Sequence, residues 1–259
     1  MAESSSCQEG QVKVVLMPTV RVALVQFDAQ PGASARNLEK MSEWVLEAGR
    51  HDARWIMFHE GTVTDYVPKL ARCAESVPGG TSTRVIGELA KEQDCCISFG
   101  LSENSGEKYF MSQVFVGPAG LVHVYRKSWL WRDPSDRGYR NEWARYDPGA
   151  GPESFQLDGV GATCFICSDG EAPRCIERAR RLKPEVVFYP NNRGSLPEFQ
   201  VLGRLAQEIG APMLVTNRIG VSGIRDCKGG CVIYSANGRV LAKSNRAGRE
   251  ELLIHDLEV

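Results

Sequence analysis

Short apolar runs alternate along this chain with stretches whose apolar positions recur at helical spacing. The first clear strand reads across 21–27 and is closed by Pro31-Gly32. A helix follows, with Ser34 in position to cap it, Leu38, Met41, Val45 and Ala48 along one face, and Gly49 as its C-cap. Residues 54–59 form a second buried strand, with Glu60-Gly61 at its end. After a turn at 77–80, Thr81 caps a helix to about Glu92 with Val85, Ile86, Leu89 and Ala90 inward, and 95–100 is a third strand. The middle changes style. Residues 109–117 and 121–126 form a hairpin across Pro118-Ala119-Gly120, and Lys127 ends its second arm. Residues 129–151 are irregular and rich in Arg, Asp, Gly and aromatics, and loops of that length in a compact domain usually carry function.

Alternation then resumes. An apolar run at 161–166 reads as a strand, Ser168-Asp169-Gly170 as a turn, and 172–182 as a helix with Pro173 in its first turn. A strand at 185–189, a loop at 190–194, a helix at 197–209 and a strand at 212–216 follow. Residues 231–235 and 239–242 read as a hairpin, and 252–256 as the last strand. Ahead of all this lie a polar tail at 1–10 and an edge strand at 11–16. No linker or composition break divides the chain. The layout predicts one α/β domain over 21–259, with 1–20 as a partly disordered extension.

Composition narrows the function classes. With 42% apolar residues among 259, a large core is available, and 31 basic against 32 acidic residues leave no footprint for nucleic acid or an anionic membrane. The apolar runs are far shorter than the ~20 residues a membrane span needs, and the N-terminus lacks the features of a secretory signal. Nine cysteines, an odd number spread unevenly, point to a reducing cytosol rather than a disulfide framework.

The candidate chemistry lies at three strand ends, carrying Glu60, Lys127 and Cys167. Cys167 sits where a strand breaks into a turn ahead of a helix, where unpaired backbone N–H groups can face a developing negative charge. A thiol must lose its proton to act as a nucleophile; a shielded glutamate could take it, and a lysine would stabilise both thiolate and oxyanion. Each residue also has a plainer reading, as a solvated carboxylate, a surface lysine and a buried core thiol.

The three segments resemble the nitrilase, or carbon–nitrogen hydrolase, superfamily. Phe58-His59-Glu60 resembles its glutamate motif, Tyr125-Arg126-Lys127-Ser-Trp-Leu130 its lysine motif, and Ile166-Cys167-Ser-Asp-Gly-Glu-Ala-Pro173 its cysteine motif. Residues 22–26, 142–149, 204–208 and 217–220 are similar to flanking segments, in the same order. The resemblance implies a four-layer α-β-β-α sandwich that assembles as a homodimer or higher homo-oligomer. It implies a Glu60, Lys127 and Cys167 triad, with Glu142 as a second glutamate that positions substrate and water. The implied reaction is thiolate attack, loss of ammonia or amine, a thioester and its hydrolysis, with no metal and no organic cofactor. His59, Ala172 and Arg174 depart from the family pattern around the motifs and bear on pocket shape.

Glu171, four residues after the thiol, is a candidate substrate contact together with Ser168 and Gly170; it could equally favour the following helix N-terminus. Asn192 and Arg193 follow another strand end and are candidates for the same pocket, with a solvent-facing Arg193 as the alternative. Cys164-Phe-Ile-Cys167 has redox or zinc spacing but lacks further ligands. Of four histidines only His59 is near the proposed site, where it could tune Glu60. The arginines of 174–181 are interleaved with acids, as on a solvated face. The expectation is a cytoplasmic thiol hydrolase for a small amide or carbamoyl compound. Nitrile conversion, acyl transfer and a non-catalytic binding role are its rivals.

Overall fold

The computed structural model describes residues 19–132, 141–223, 225–245 and 247–259; the edge strand expected at 11–16 lies outside them. The first strand shows how the layers arise. β1 (Thr19–Gln26) turns Val22 and Leu24 into one apolar cluster and Ala23 and Val25 into another, as the period-two geometry of a strand requires. The first cluster lies between two sheets, and the second lies under two helices.

The first sheet runs through β2 (Trp55–Met57), β3 (Cys96–Ser105), β4 (Lys108–Gly117), β5 (Gly120–Arg126) and β14 (Glu251–Glu258), in the order β14-β1-β2-β3-β4-β5. β1, β2 and β3 are parallel, joined by α1 (Ser34–Gly49) and α2 (Thr81–Glu92). β4 and β5 then return and return again, so β5 ends on the same edge as β2. That double hairpin is what brings Lys127 to the edge that carries Glu60.

The second sheet repeats the plan. β6 (Phe155–Leu157), β7 (Val160–Cys164), β8 (Val186–Pro190), β9 (Met213–Thr216), β12 (Val232–Tyr234) and β13 (Val240–Lys243) lie in the order β13-β12-β9-β8-β7-β6. β7, β8 and β9 are parallel, joined by α3 (Pro173–Leu182) and α4 (Phe199–Ile209). Val187 and Tyr189 of β8 join the cluster under these helices, while Val186 and Phe188 face the other sheet. The inter-sheet core includes Phe115, Phe155 and Phe188, with ring centroids 4.7 to 6.4 Å apart. Such pairs add about 0.5–1.5 kcal/mol each beyond their buried area. The result is the α-β-β-α sandwich the resemblance implied.

Several local expectations are corrected. Neither Ser34 nor Thr81 caps its helix with its side chain. Instead, Glu75 accepts from Ser82 N and Oγ at 2.8 and 2.6 Å, and Asn37 ties the first turn of α1 to Gln30. Val85 is exposed while Ile86 and Ala90 are buried, because α2 turns a narrower stripe to the sheet. Gly49 is the last residue of α1, followed by Arg50 in right-handed geometry. A hairpin of β10 (Ile219–Ser222) and β11 (Arg225–Lys228), and the short strand β6, were not legible as strands. β10 and β11 mix glycine and charged residues into the pattern, and β6 is only three residues long.

Candidate active site

The turn after β2 carries Glu60 into the interior. Glu60 and Gly61 lie against Gly100 of β3, where an added Cβ would meet Gly61 N at 2.2 Å, so only glycine admits this approach. Glu60 is fully buried, as is Lys127, which follows β5. Lys127 Nζ donates to Glu60 Oε1 at 2.7 Å and to Glu142 Oε1 at 2.8 Å. Glu142, in a short 3-10 turn (Glu142–Ala144), also accepts from the Tyr66 hydroxyl and from Trp131 N at 2.7 Å.

The two carboxylates on Lys127 are therefore not equivalent. Both oxygens of Glu142 are occupied, whereas Glu60 Oε2 has no hydrogen-bond partner among the described residues. Burial pushes the Glu60 carboxyl above the usual carboxylate range, against the pull of Lys127 and with the help of Glu142. Burial works against the Lys127 charge, but Glu142 and Glu60 outweigh it and hold the ammonium well above its ordinary value.

Cys167 completes the group. It opens a 3-10 turn (Cys167–Glu171) with φ of +49°, a left-handed conformation that costs a non-glycine residue about 1–3 kcal/mol. The surroundings hold it there. Asp169 accepts from Ile166 N, the Tyr125 hydroxyl, Ser128 N and Oγ, and Trp129 N, at 2.6 to 3.1 Å. One buried carboxylate thus ties the cysteine turn to the segment that follows Lys127. Tyr189 adds a hydrogen bond to the Cys167 carbonyl at 2.7 Å. Burial raises the thiol's pKa, Arg193 and Lys127 pull it down, and Glu60 and Glu142 oppose them. A thiol whose pKa is raised needs a base before it can react, and Glu60 carries an oxygen with no hydrogen-bond partner among the described residues.

A cavity of about 360 Å³ opens above Cys167, lined also by Glu142, Tyr66, Trp131, Glu171, Asn192 and Arg193. Of the candidate substrate contacts named from the sequence, Glu171, Asn192 and Arg193 line this cavity, and Ser168 and Gly170 do not. Ser168 Oγ donates to the Trp129 carbonyl and borders a neighbouring tryptophan-lined groove. Gly170 is a packing residue, since a Cβ there would meet the Tyr189 hydroxyl oxygen at 2.4 Å. His59 does not reach the Glu60 carboxylate: its Nδ1 lies 3.0 Å from the Glu60 carbonyl oxygen. Burial and then Arg218 depress its pKa to about 3, so it is neutral and cannot tune Glu60 by charge. Glu171 pairs with Arg193. Cys164 and Cys167 are both free thiols, and Cys164 belongs to the inter-sheet core.

Sequence reasoning missed Tyr66, Trp131 and the clamp role of Asp169. Trp131 lay in the long irregular segment flagged for function, and Asp169 inside the cysteine motif; Tyr66 gave no local signal. Part of that segment, 133–140, lies outside the described residues. Among the described residues no group of three or more His, Cys, Asp or Glu side chains is arranged to hold a metal, and no helix is long and apolar enough to cross a membrane.

Comparison with known proteins gives a consistent picture. The sequence model of the carbon–nitrogen hydrolase family matches residues 21–259. An (R)-stereoselective amidase from Pseudomonas sp. is 27% identical over 241 residues, 90% of this chain and 82% of that protein. A nitrilase from Pyrococcus abyssi is 26% identical over 178 residues, 67% of this chain and 65% of that protein. A solved amidase from Nesterenkonia sp. AN1 superposes with a TM-score of 0.80 at 21% identity, covering 92% of this chain and 91% of that one. That structure holds butyramide in a cysteine-to-alanine variant, and another of the same amidase shows acrylamide added at its active-site cysteine. The structural likeness establishes the fold.

Proposed function

The chain belongs to the carbon–nitrogen hydrolase family, and from that premise we propose that it is an amidase using Cys167 as nucleophile, Glu60 as base and Lys127 as charge stabiliser. The observation that carries this reading is the asymmetry around Lys127: one carboxylate fully hydrogen-bonded, the other with an open oxygen and a raised pKa, beside a thiol at the floor of a cavity.

The steps follow from these groups. Glu60 Oε2 takes the Cys167 proton as Sγ attacks the amide carbon. Two of the three N–H donors of Lys127 are spent on Glu60 and Glu142, and the third serves the oxyanion that forms. Collapse of the tetrahedral intermediate breaks the C–N bond, and Glu60 returns its proton to the departing nitrogen, giving ammonia and a thioester. Water then attacks the thioester, giving its proton to Glu60, and the acid leaves as the thiol is restored. Glu142, held by Tyr66, Lys127 and Trp131 N, is fixed to position that water and the substrate.

Amidase names among relatives and neighbours favour an amide over a nitrile, although the nitrilase relative shares the family chemistry. A carbamoyl substrate would present the same carbonyl carbon and the same leaving nitrogen. We also take 21–259 as one catalytic domain that self-associates, for which light scattering on the purified protein is the check. The decisive experiment is ammonia release from small primary amides, ureido compounds and nitriles, with Cys167→Ala as control. Turnover of amides that falls by at least about 10⁴-fold in Cys167→Ala supports the reading. Unchanged turnover in that variant, or no turnover of any class together with no preferential iodoacetamide labelling of Cys167, refutes it.

A further inference from the structure

We propose that the substrate carries a carboxylate beyond its amide, and that Arg193 binds this carboxylate in place of Glu171. The proposal rests on the amidase reading and names the substrate class of that site.

Arg193 lines the same cavity as Cys167. It is held from three directions before any ligand arrives. Its backbone N–H donates to Asn217 Oδ1 at 3.0 Å, its carbonyl accepts from Asn217 Nδ2 at 3.1 Å, and its Nε donates to Asn191 Oδ1 at 2.9 Å. That anchoring fixes the guanidinium plane and leaves Nη1 and Nη2 for recognition. Nη1 bonds the Glu171 carboxylate, and among the described residues Nη2 has only a long contact of 3.4 Å to the Tyr189 hydroxyl. Arginine offers its donors as a planar fork that suits a carboxylate, and here one carboxylate of the chain already sits on it.

Exposure decides which kind of substrate can exploit this pair. The Arg193 side chain is 13% exposed and that of Glu171 is 48% exposed. A cationic substrate captured by Glu171 would strand a mostly buried guanidinium without its counter-ion, which is costly. An anionic substrate captured by Arg193 would instead release Glu171 toward water, where a carboxylate is well solvated and loses little. The buried partner keeps a counter-ion throughout, and the exposed partner is the one that exchanges. Glu171 thus acts as an internal stand-in for the substrate carboxylate. Arg193 and Cys167 line one cavity, so a carboxylate bound by Arg193 lies within that cavity's span of the reacting carbon. A cavity of about 360 Å³ fits a small compound.

The test compares matched pairs on the purified enzyme: succinamate against butyramide, and glutaramate against valeramide. At one or both lengths the anionic member is expected to have a kcat/KM at least about tenfold higher, chiefly through KM, as one charge-assisted hydrogen bond provides. Glu171→Gln should widen that ratio, and Arg193→Met should bring it to about one. Direct binding of succinamate to Cys167→Ala, measured by calorimetry with and without Glu171→Gln, gives a readout that keeps Arg193 in place; tighter binding with Glu171→Gln supports the exchange. Equal kcat/KM for neutral and anionic amides at both lengths, or a ratio that survives Arg193→Met, overturns the proposal while leaving the amidase reading intact. Ammonia from none of the four compounds, with Cys167 unlabelled by iodoacetamide, overturns both.

Discussion

Two carboxylate–cation groupings flank the same thiol and behave differently. At the floor, Lys127 holds Glu60 and Glu142, with all three side chains at most 1% exposed. At the wall, Arg193 holds Glu171, whose side chain is about half exposed. The chemical pairing is alike, but the solvent is not. At the floor every member is buried and one ammonium serves both carboxylates, so the geometry is fixed, which suits groups that must meet a reacting atom in one arrangement. At the wall the exposed carboxylate can be exchanged for another at little cost, which suits recognition of something that comes and goes.

The sharpest way to break this contrast is to remove one charge from each grouping. Lys127→Met leaves two buried carboxylates facing one another, and we expect a destabilisation of about 3–5 kcal/mol in urea unfolding, with activity abolished. Glu171→Gln, whose amide oxygen can still accept from Arg193 Nη1, should cost less, about 1–2 kcal/mol. Similar costs for the two would erase the distinction.

A second test uses pH. Glu60 must be deprotonated to act as base, and its pKa is raised. Activity should therefore fall with decreasing pH at values above those of an ordinary carboxylate, about 4.3. An acid limb of kcat/KM at or below that value would remove Glu60 from the role.

Beside the floor, His59 offers a stability test. Its folded pKa of about 3 lies below the unfolded value of about 6.5. The unfolded chain binds the proton first, so this contribution is whole above pH 6.5 and is lost as pH falls toward 3. At pH 5 the loss is about 2 kcal/mol, and His59→Phe should flatten the stability change between pH 7 and 5 by that amount. An unaltered acid dependence in chemical denaturation would count against a buried neutral His59.

The smallest expected effect is that of Tyr66→Phe. It removes one donor from Glu142 while leaving Lys127 and Trp131 N in place. We expect kcat to fall about tenfold with little change in stability. A fall as deep as that of Cys167→Ala would mean that Tyr66 touches the reacting atoms.

Much of the floor was legible before the fold was known. Strand ends marked by Glu60, Lys127 and Cys167 could be read because apolar alternation stops there, and their ordered motifs carried the resemblance. Glu142 came from the resemblance alone. The wall was legible only as candidates: Glu171, Asn192 and Arg193 face the cavity, while Ser168 and Gly170, adjacent in sequence to Cys167, do not. Adjacency failed there because a left-handed Cys167 redirects the chain into a tight turn, and such a turn sends successive side chains in different directions.

The sequence by itself determined the alternation of strands and helices, the apolar runs of β1 and β8, and the residue types at the strand ends. These are local, set by side-chain periodicity and by the residues that stop a strand. Only the tertiary structure decided that Lys127 divides its donors between Glu60 and Glu142, that Asp169 clamps the turn of Cys167 to the segment after Lys127, and that Glu171 rather than solvent faces Arg193. Those partners lie from 15 to 67 residues apart in the chain. The packing of two sheets brings them together, and burial, which sets the strength of each charge pairing, exists only once the sheets have met.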